Sequence, residues 1–438
     1  VHAFLDLERR SIRVLALLIL LGLGAFSTAL IYGNRWAWPP IRSDGVGYYA
    51  YLPALVIYHD PSMESLFNLP PEKLKGYQPL GPWTGINRYE KTGLYFDKYT
   101  MGVALLMLPF FLAAHGLSWV CSLGQGGFGL PYQWASVASA LFYLVAGIAF
   151  LYGFLRNYFS PAVVFFTLAV HIFGTGLFHY ATYDGSFSHV YSFFLVSVYL
   201  FLLVRYRERW IAGSVLCGAV LGLIFLTRQP NVLFGLFFAL FGVSRVSDLR
   251  RTLSDKQWHK RMVLFTIVFF ITVFPQLCYW KYTTGQWFLY SYLGERFDWG
   301  SPHILDVLFS VRKGLFFWYP ALLASTAGFF FMRAAKPDLL GGIVSFVPLN
   351  LYIIASWPCW WYGGSLGQRS FVDSVPVFCI GLASLLAAIS SRGMRLAVTV
   401  FLIGATALTI VYMVLYWLGI ISIDAMTWTA YGKIFTGR

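Results

Sequence analysis

Twelve apolar runs follow one another along the chain, at roughly 12–32, 99–118, 132–153, 162–180, 187–204, 211–226, 231–243, 263–281, 314–331, 339–357, 371–389 and 396–418. About 20 apolar residues form a helix that spans a bilayer core and satisfies its own backbone hydrogen bonds, and several of these runs reach or approach that length. The alternating pattern of a transmembrane barrel is absent. With 58% hydrophobic and 11% charged residues and a mean hydropathy of +0.66, the chain is too apolar to cover a soluble core with polar surface. The fold class expected is all-α, a polytopic integral membrane protein forming a single membrane domain over residues 1–438.

The basic residues orient it. If all twelve runs cross, RYRER (205–209) and the 244–261 segment share a side with the long 33–98 loop, against the positive-inside rule. If the 99–118 run stays at the outer face, the inside holds 17 Lys/Arg and 6 Asp/Glu against 15 and 12 outside. Eleven spans with a cytoplasmic N-terminus are therefore expected. Arg9, Arg10 and Arg13 precede a first apolar run with no small-residue cleavage site, which reads as an uncleaved helix. The net charge of +14 belongs to these loops and to anionic lipid, and no nucleic-acid partner is expected. The five cysteines show no paired or metal-like spacing and read as packing residues.

The outer segments concentrate the residues with chemistry. Asp44, in SDGVGYYAYLPAL, is the candidate catalytic base; the same triplet also makes a turn or helix N-cap. The aromatic stretch after it, including Tyr48, reads as a short helix lying on the membrane surface. Asp97 and Lys98 meet the 99–118 run, where a lysine also serves as an interfacial anchor. Asp184 sits in YDGSFSH between two helices, with His179 and His189 nearby. Arg228 and Arg369, the latter behind the glycine-rich WWYGGSLGQ, are candidate phosphate ligands, since arginine forks match phosphate oxygens bidentately. Lys281, Glu295, Arg296, Arg312 and Lys313 form a mixed set that reads as solvated surface, with Arg296 retained as a substrate contact. Walker, Rossmann and nucleophile-elbow motifs are absent, and GQGGFG (124–129) reads as a flexible connection.

This order of features resembles the GT-C glycosyltransferases: one helix, a large outer loop opening on an aspartate (SDGVGYYAY), a juxtamembrane segment, then two helices joined by an outer loop with an acid (YDGSFSH). It is most similar to the bacterial group that includes aminoarabinose transferases and protein O-mannosyltransferases. The resemblance implies a catalytic module over 1–281 with the outer loop at 33–131, completed by the helices of 282–438. It also implies Asp44 as the base and a divalent cation, if one is used, on Asp44 and Asp184. WWYGG at 360–364 echoes the oligosaccharyltransferase signature WWDYG only in part, and the paired acid beside the first aspartate is missing.

The function expected is an inverting transfer of a sugar from a polyprenyl-phosphate donor to a hydroxyl acceptor, at the outer face of a prokaryotic inner membrane. A polymerase or ligase using lipid-diphosphate saccharides, a lipid-linked saccharide transporter and a structural scaffold are the alternatives. No energy source is needed, because the phosphate ester linkage of the donor is already activated, and the one cofactor left open is a divalent cation.

Overall fold

The computed structural model describes residues 2–70, 84–292, 294–332 and 337–436. Among them, eight helices are long and apolar enough to cross a membrane, and three more apolar helices are shorter. This is a polytopic, essentially all-α protein. The connection at 333–336, which carries Arg333 and Lys336 of the charge reading, lies outside the described residues, as do the Arg9 and Arg10 side chains.

The chain begins with α1 (His2–Gly33), and α2 (Asp44–Leu52) runs on into a π turn at Pro53–Ile57. A small antiparallel hairpin, β1 (Ile86–Arg88) with β2 (Tyr95–Asp97), pairs Ile86 with Asp97. Then come α3 (Gly102–Val120), α4 (Leu130–Leu155), α5 (Pro161–Phe173), α6 (His189–Arg205), α7 (Trp210–Thr227) and α8 (Lys256–Thr284). The last third adds α9 (Ala321–Gly328), α10 (Pro337–Ala355), α11 (Val375–Ala388) and α12 (Arg392–Trp417). Proline opens α4, α5 and α11, where its missing N–H is no loss.

The close helix contacts rely on small residues, as packing within lipid favours. Gly328 of α9 and Gly381 of α11 meet so tightly that a Cβ on either would run into a backbone carbonyl of the other helix. This crossing seats the helix that follows Arg369.

Helix α4, 26 residues long, serves as a ruler for the bundle. Near its C-terminal end the Arg13 guanidinium lies 5.8 Å from the Tyr152 ring, and near the other end Tyr32 packs against Trp134 at 5.9 Å. Its antiparallel neighbour α3 meets it at Tyr143, whose hydroxyl donates to the Leu106 carbonyl (2.8 Å), and at Tyr132, whose hydroxyl lies 2.7 Å from His115 Nδ1. The two contacts run from the start of α4, at Tyr132, to its midpoint, at Tyr143. Helix α6 begins beside Ser139, which bonds Tyr191 at 2.8 Å, so the 183–189 connection dips about 14 Å below the start of α4 at 1.5 Å per residue.

That dip explains the short 231–243 run. A 3-10 helix (Gln229–Phe234) and a single α-turn (Gly235–Ala239) lead from Arg228 to Ala239, whose carbonyl accepts from Trp258 near the start of α8. The stretched 3-10 rise of about 2 Å per residue lets few residues cover the distance from a sunken site.

Two expectations are corrected here. The α2 stretch is a helix, but Gly45 to Leu52 are all buried, so it packs inside the protein instead of lying on a membrane surface. The 124–129 connection is pinned: Tyr49 donates to the Gly127 carbonyl and Tyr58 to that of Gly126, at 3.2 Å for the second.

Candidate functional site

Asp44 opens α2 next to Gly45, and Gly45 is what lets that end approach the 183–189 connection. A Cβ there would collide with the Ser186 side chain. The Asp44 carboxylate accepts from Arg369 Nη1 at 3.0 Å, a pair joining positions 325 residues apart. Both side chains keep partial access, 22% for Asp44 and 16% for Arg369, because they border a cavity of about 500 Å³.

Into this cavity face Asp44, Tyr48, Lys98, His189, Arg228 and Arg369, six of the residues read as candidates from the sequence. Tyr48 packs tilted against Tyr99 with ring centroids 4.3 Å apart, and burial pushes its phenol up to about 12, so it is a neutral donor at physiological pH. Lys98 extends its ammonium between the Tyr99 and Tyr292 rings, at 5.2 and 5.1 Å. Of the three cations only Lys98 shows no carboxylate partner among the described residues. Arg369 is held by Asp44, and Arg228 donates to Asp373 Oδ2 at 2.8 Å.

Asp373 is the residue sequence reasoning missed. It is fully buried, and His189, Arg228 and Asn231 all converge on its carboxylate, the histidine at 2.9 Å and the asparagine also at 2.9 Å. An acid at the mouth of an apolar run was the available signal, since an ionisable group at such a position is costly unless paired. His189 reaches the cavity as the carboxylate's partner.

Asp97 and Asp184 do not join the site. Asp97 ends β2 and Lys98 follows it directly, yet Lys98 faces the cavity while Asp97 is buried behind it. Asp97 Oδ1 accepts from Tyr99 N–H at 2.9 Å, and Oδ2 has no partner among the described residues. Burial raises its carboxyl well above the usual range against the pull of that N–H and of Lys98. Burial thus favours its neutral form, and Asp97 does not border the cavity where a substrate contact was expected.

Asp184 is engaged on both oxygens, by Arg42 at 2.6 Å and by His179 Nε2 at 3.1 Å. The indole of Trp417 donates to His179 Nδ1 at 3.0 Å; an indole only donates, so the imidazole is neutral and carries its proton toward Asp184. Burial would raise the Asp184 carboxyl, but Arg42 first and His179 next hold it below the usual range. With both oxygens engaged, Asp184 offers no joint cation site with Asp44, and no cluster of three His, Cys, Asp or Glu able to hold a metal occurs among the described residues. Arg296 is exposed and does not border the cavity.

The reading of Lys313 as solvated surface is also overturned. Only 1% exposed, it donates to the carbonyls of Ser365 and Ile423, the second at 2.8 Å, and so ties the glycine-rich loop before Arg369 to the segment after α12. Arg312 beside it lies 3.6 Å from the Trp361 ring centroid. Burial pushes the Lys313 ammonium down to about 7; Asp424 opposes this, while Arg369 and Arg312 add to it. The folded state thus holds fewer protons than the unfolded chain between about pH 7 and the ordinary lysine pKa near 10.4, so this residue makes stability rise with pH over that window. Lys313→Met is expected to flatten that part of the stability profile, as read from thermal unfolding of the detergent-solubilised protein at pH 6.5 to 10. An unchanged pH slope in the variant would remove the assignment.

The sequence matches no protein-family model and no curated protein.

Proposed function

We propose that this protein is a membrane glycosyltransferase that moves a sugar from a polyprenyl-phosphate donor to a hydroxyl acceptor with inversion. The observation that carries the reading is one cavity in which a carboxylate, Asp44, shares space with three cations, Lys98, Arg228 and Arg369, sunk among membrane-length helices. A base and phosphate-binding cations within one lined cavity are what displacement at an anomeric carbon needs.

In the reaction the acceptor oxygen forms the new bond to the anomeric carbon as the bond from that carbon to the phosphate oxygen breaks. Asp44 takes the acceptor proton, and the electron pair of the broken bond leaves on the polyprenyl phosphate. Lys98 receives the phosphate first, because neither arginine is without a carboxylate partner. A phosphate drawing Arg369 away frees the Asp44 oxygen that the guanidinium holds. Negative charge grows on the leaving phosphate in the transition state, where fixed cations are worth most.

The same reading fixes topology. We infer eleven spans, a cytoplasmic N-terminus and a cavity open to the outer side; α3 is itself one of the eight helices long and apolar enough to cross, and this reading keeps it at the outer face. The 121–129 connection is then external, and a cysteine placed at the exposed Gln125, in a variant with the exposed Cys121 and Cys278 replaced, should react with an impermeant maleimide added to intact cells. Reaction only after the cells are opened would exclude this topology. Transfer itself is tested by the Asp44 variant treated in the Discussion.

A lipid-linked saccharide transporter fits less well, since the charged groups gather at one level instead of being distributed along a path through the membrane.

A further inference from the structure

The cavity has two unlike ends. At one stand Lys98, Arg228 and Arg369; at the other, aromatic rings from the 290–299 loop and from the end of α10. The two are joined by a continuous row: Lys98 over the Tyr292 ring (5.1 Å), Tyr292 edge-on to Trp357 (5.5 Å), and Trp357 edge-on to Phe297 (4.9 Å). Phe297 and Trp299 then stack at 4.7 Å with 14° between their planes, and Trp299 stacks on Tyr352 at 5.8 Å.

This ledge is preformed by two main-chain bonds and by one hydroxyl of its own rings. Asp298 N–H donates to the Ser356 carbonyl (2.8 Å), His303 N–H to that of Ala355 (2.8 Å), and Tyr352 Oη–H to that of Trp299 (2.6 Å). Trp299 remains 50% exposed, and Glu295, which also borders the cavity, is exposed with no cation partner among the described residues. Asp298 on the same loop is exposed, and its Oδ1 accepts from the Gly300 and Ser301 N–H groups at 3.2 Å each.

We propose that this ledge is a saccharide subsite and that the acceptor of the transfer is a glycan. The C–H face of a pyranose packs against exposed aromatic surface such as that of the half-exposed Trp299, while its rim of hydroxyls needs an acceptor such as the Glu295 carboxylate. A prenyl chain has no use for the Glu295 carboxylate that borders the cavity beside these rings. Assigning the sugar to the acceptor rests on the transfer reading above; the binding itself does not.

The test is titration of the full-length protein in detergent, read by saturation-transfer NMR, with a panel of neutral oligosaccharides and, in parallel, the matching sugar 1-phosphates and a serine-containing peptide. A neutral oligosaccharide is expected to bind, at least about tenfold more weakly to Trp299→Ala, as is common when a buried aromatic contact is truncated. Trp299→Tyr should keep most of the affinity and Glu295→Gln should lose part of it, which keeps the test decisive if the alanine variant does not fold. Asp44→Asn and Lys98→Ala should bind the neutral sugar as the parent does, so a failed transfer mechanism leaves this result standing. The subsite is overturned if no neutral oligosaccharide binds, if Trp299→Ala binds as well as the parent, or if the peptide alone binds. Binding confined to the 1-phosphates and lost in Lys98→Ala would assign the ring to the donor and overturn the acceptor claim.

Discussion

Asp44→Asn is expected to lower sugar transfer from polyprenyl phosphate by about 10²- to 10⁴-fold, the range in which a positioned general base contributes. The substitution is nearly isosteric, and the amide oxygen still accepts from Arg369, so the 3.0 Å contact that holds the end of α2 against the 369–374 turn survives. What disappears is the ability to take a proton. Expression, thermal unfolding and lipid binding should therefore match the parent while turnover of a purified, labelled donor collapses. Near-normal turnover in Asp44→Asn would remove the base and, with it, the mechanism. Loss of folding instead of turnover would mean that the carboxylate serves only to neutralise Arg369.

The second large effect falls on stability. Asp373→Ala should destabilise the protein by about 3–5 kcal/mol, because it leaves the Arg228 guanidinium and the amide of Asn231 without the carboxylate on which they converge. The penalty is that of an uncompensated buried charge, so it has a signature: Asp373→Ala combined with Arg228→Met should recover part of the loss, as apolar replacement of a whole buried pair often does. Thermal unfolding in detergent with both single variants and the double variant measures the coupling. A single Asp373→Ala variant within 1 kcal/mol of the parent would show that the cluster is not holding the turn before α11.

Much of the architecture was legible because bilayer thickness imposes one length on many segments. The apolar runs at 12–32, 132–153 and 396–418 correspond to α1, α4 and α12, and the outer segments named from charge and aromatic content supply most of the cavity wall. Lys98 was legible for the same reason: it stands where a polar loop meets an apolar run. Asp97 was not, because which of two adjacent residues faces a cavity depends on strand pairing, and the short β1–β2 hairpin carries no run of alternation long enough to read. Asp184 was placed correctly in a connection but given chemistry, since nothing in YDGSFSH announces that Arg42, 142 residues earlier, will occupy it. Asp373 and Lys313 hide for the opposite reason. Each looks like ordinary punctuation of an apolar run, and only the packing of distant loops buries it.

The pairing of Asp44 with Arg369 also sets an order of events during synthesis. A chain inserted from its N-terminus lodges Asp44 at the membrane long before the segment bearing its partner leaves the ribosome, 325 positions later. Until then the carboxylate shares its cavity with the earlier cations Lys98 and Arg228 but lacks the guanidinium that holds it. The cavity is thus among the last features to be completed, and a prematurely terminated chain that still inserts its early helices would reach the membrane inert.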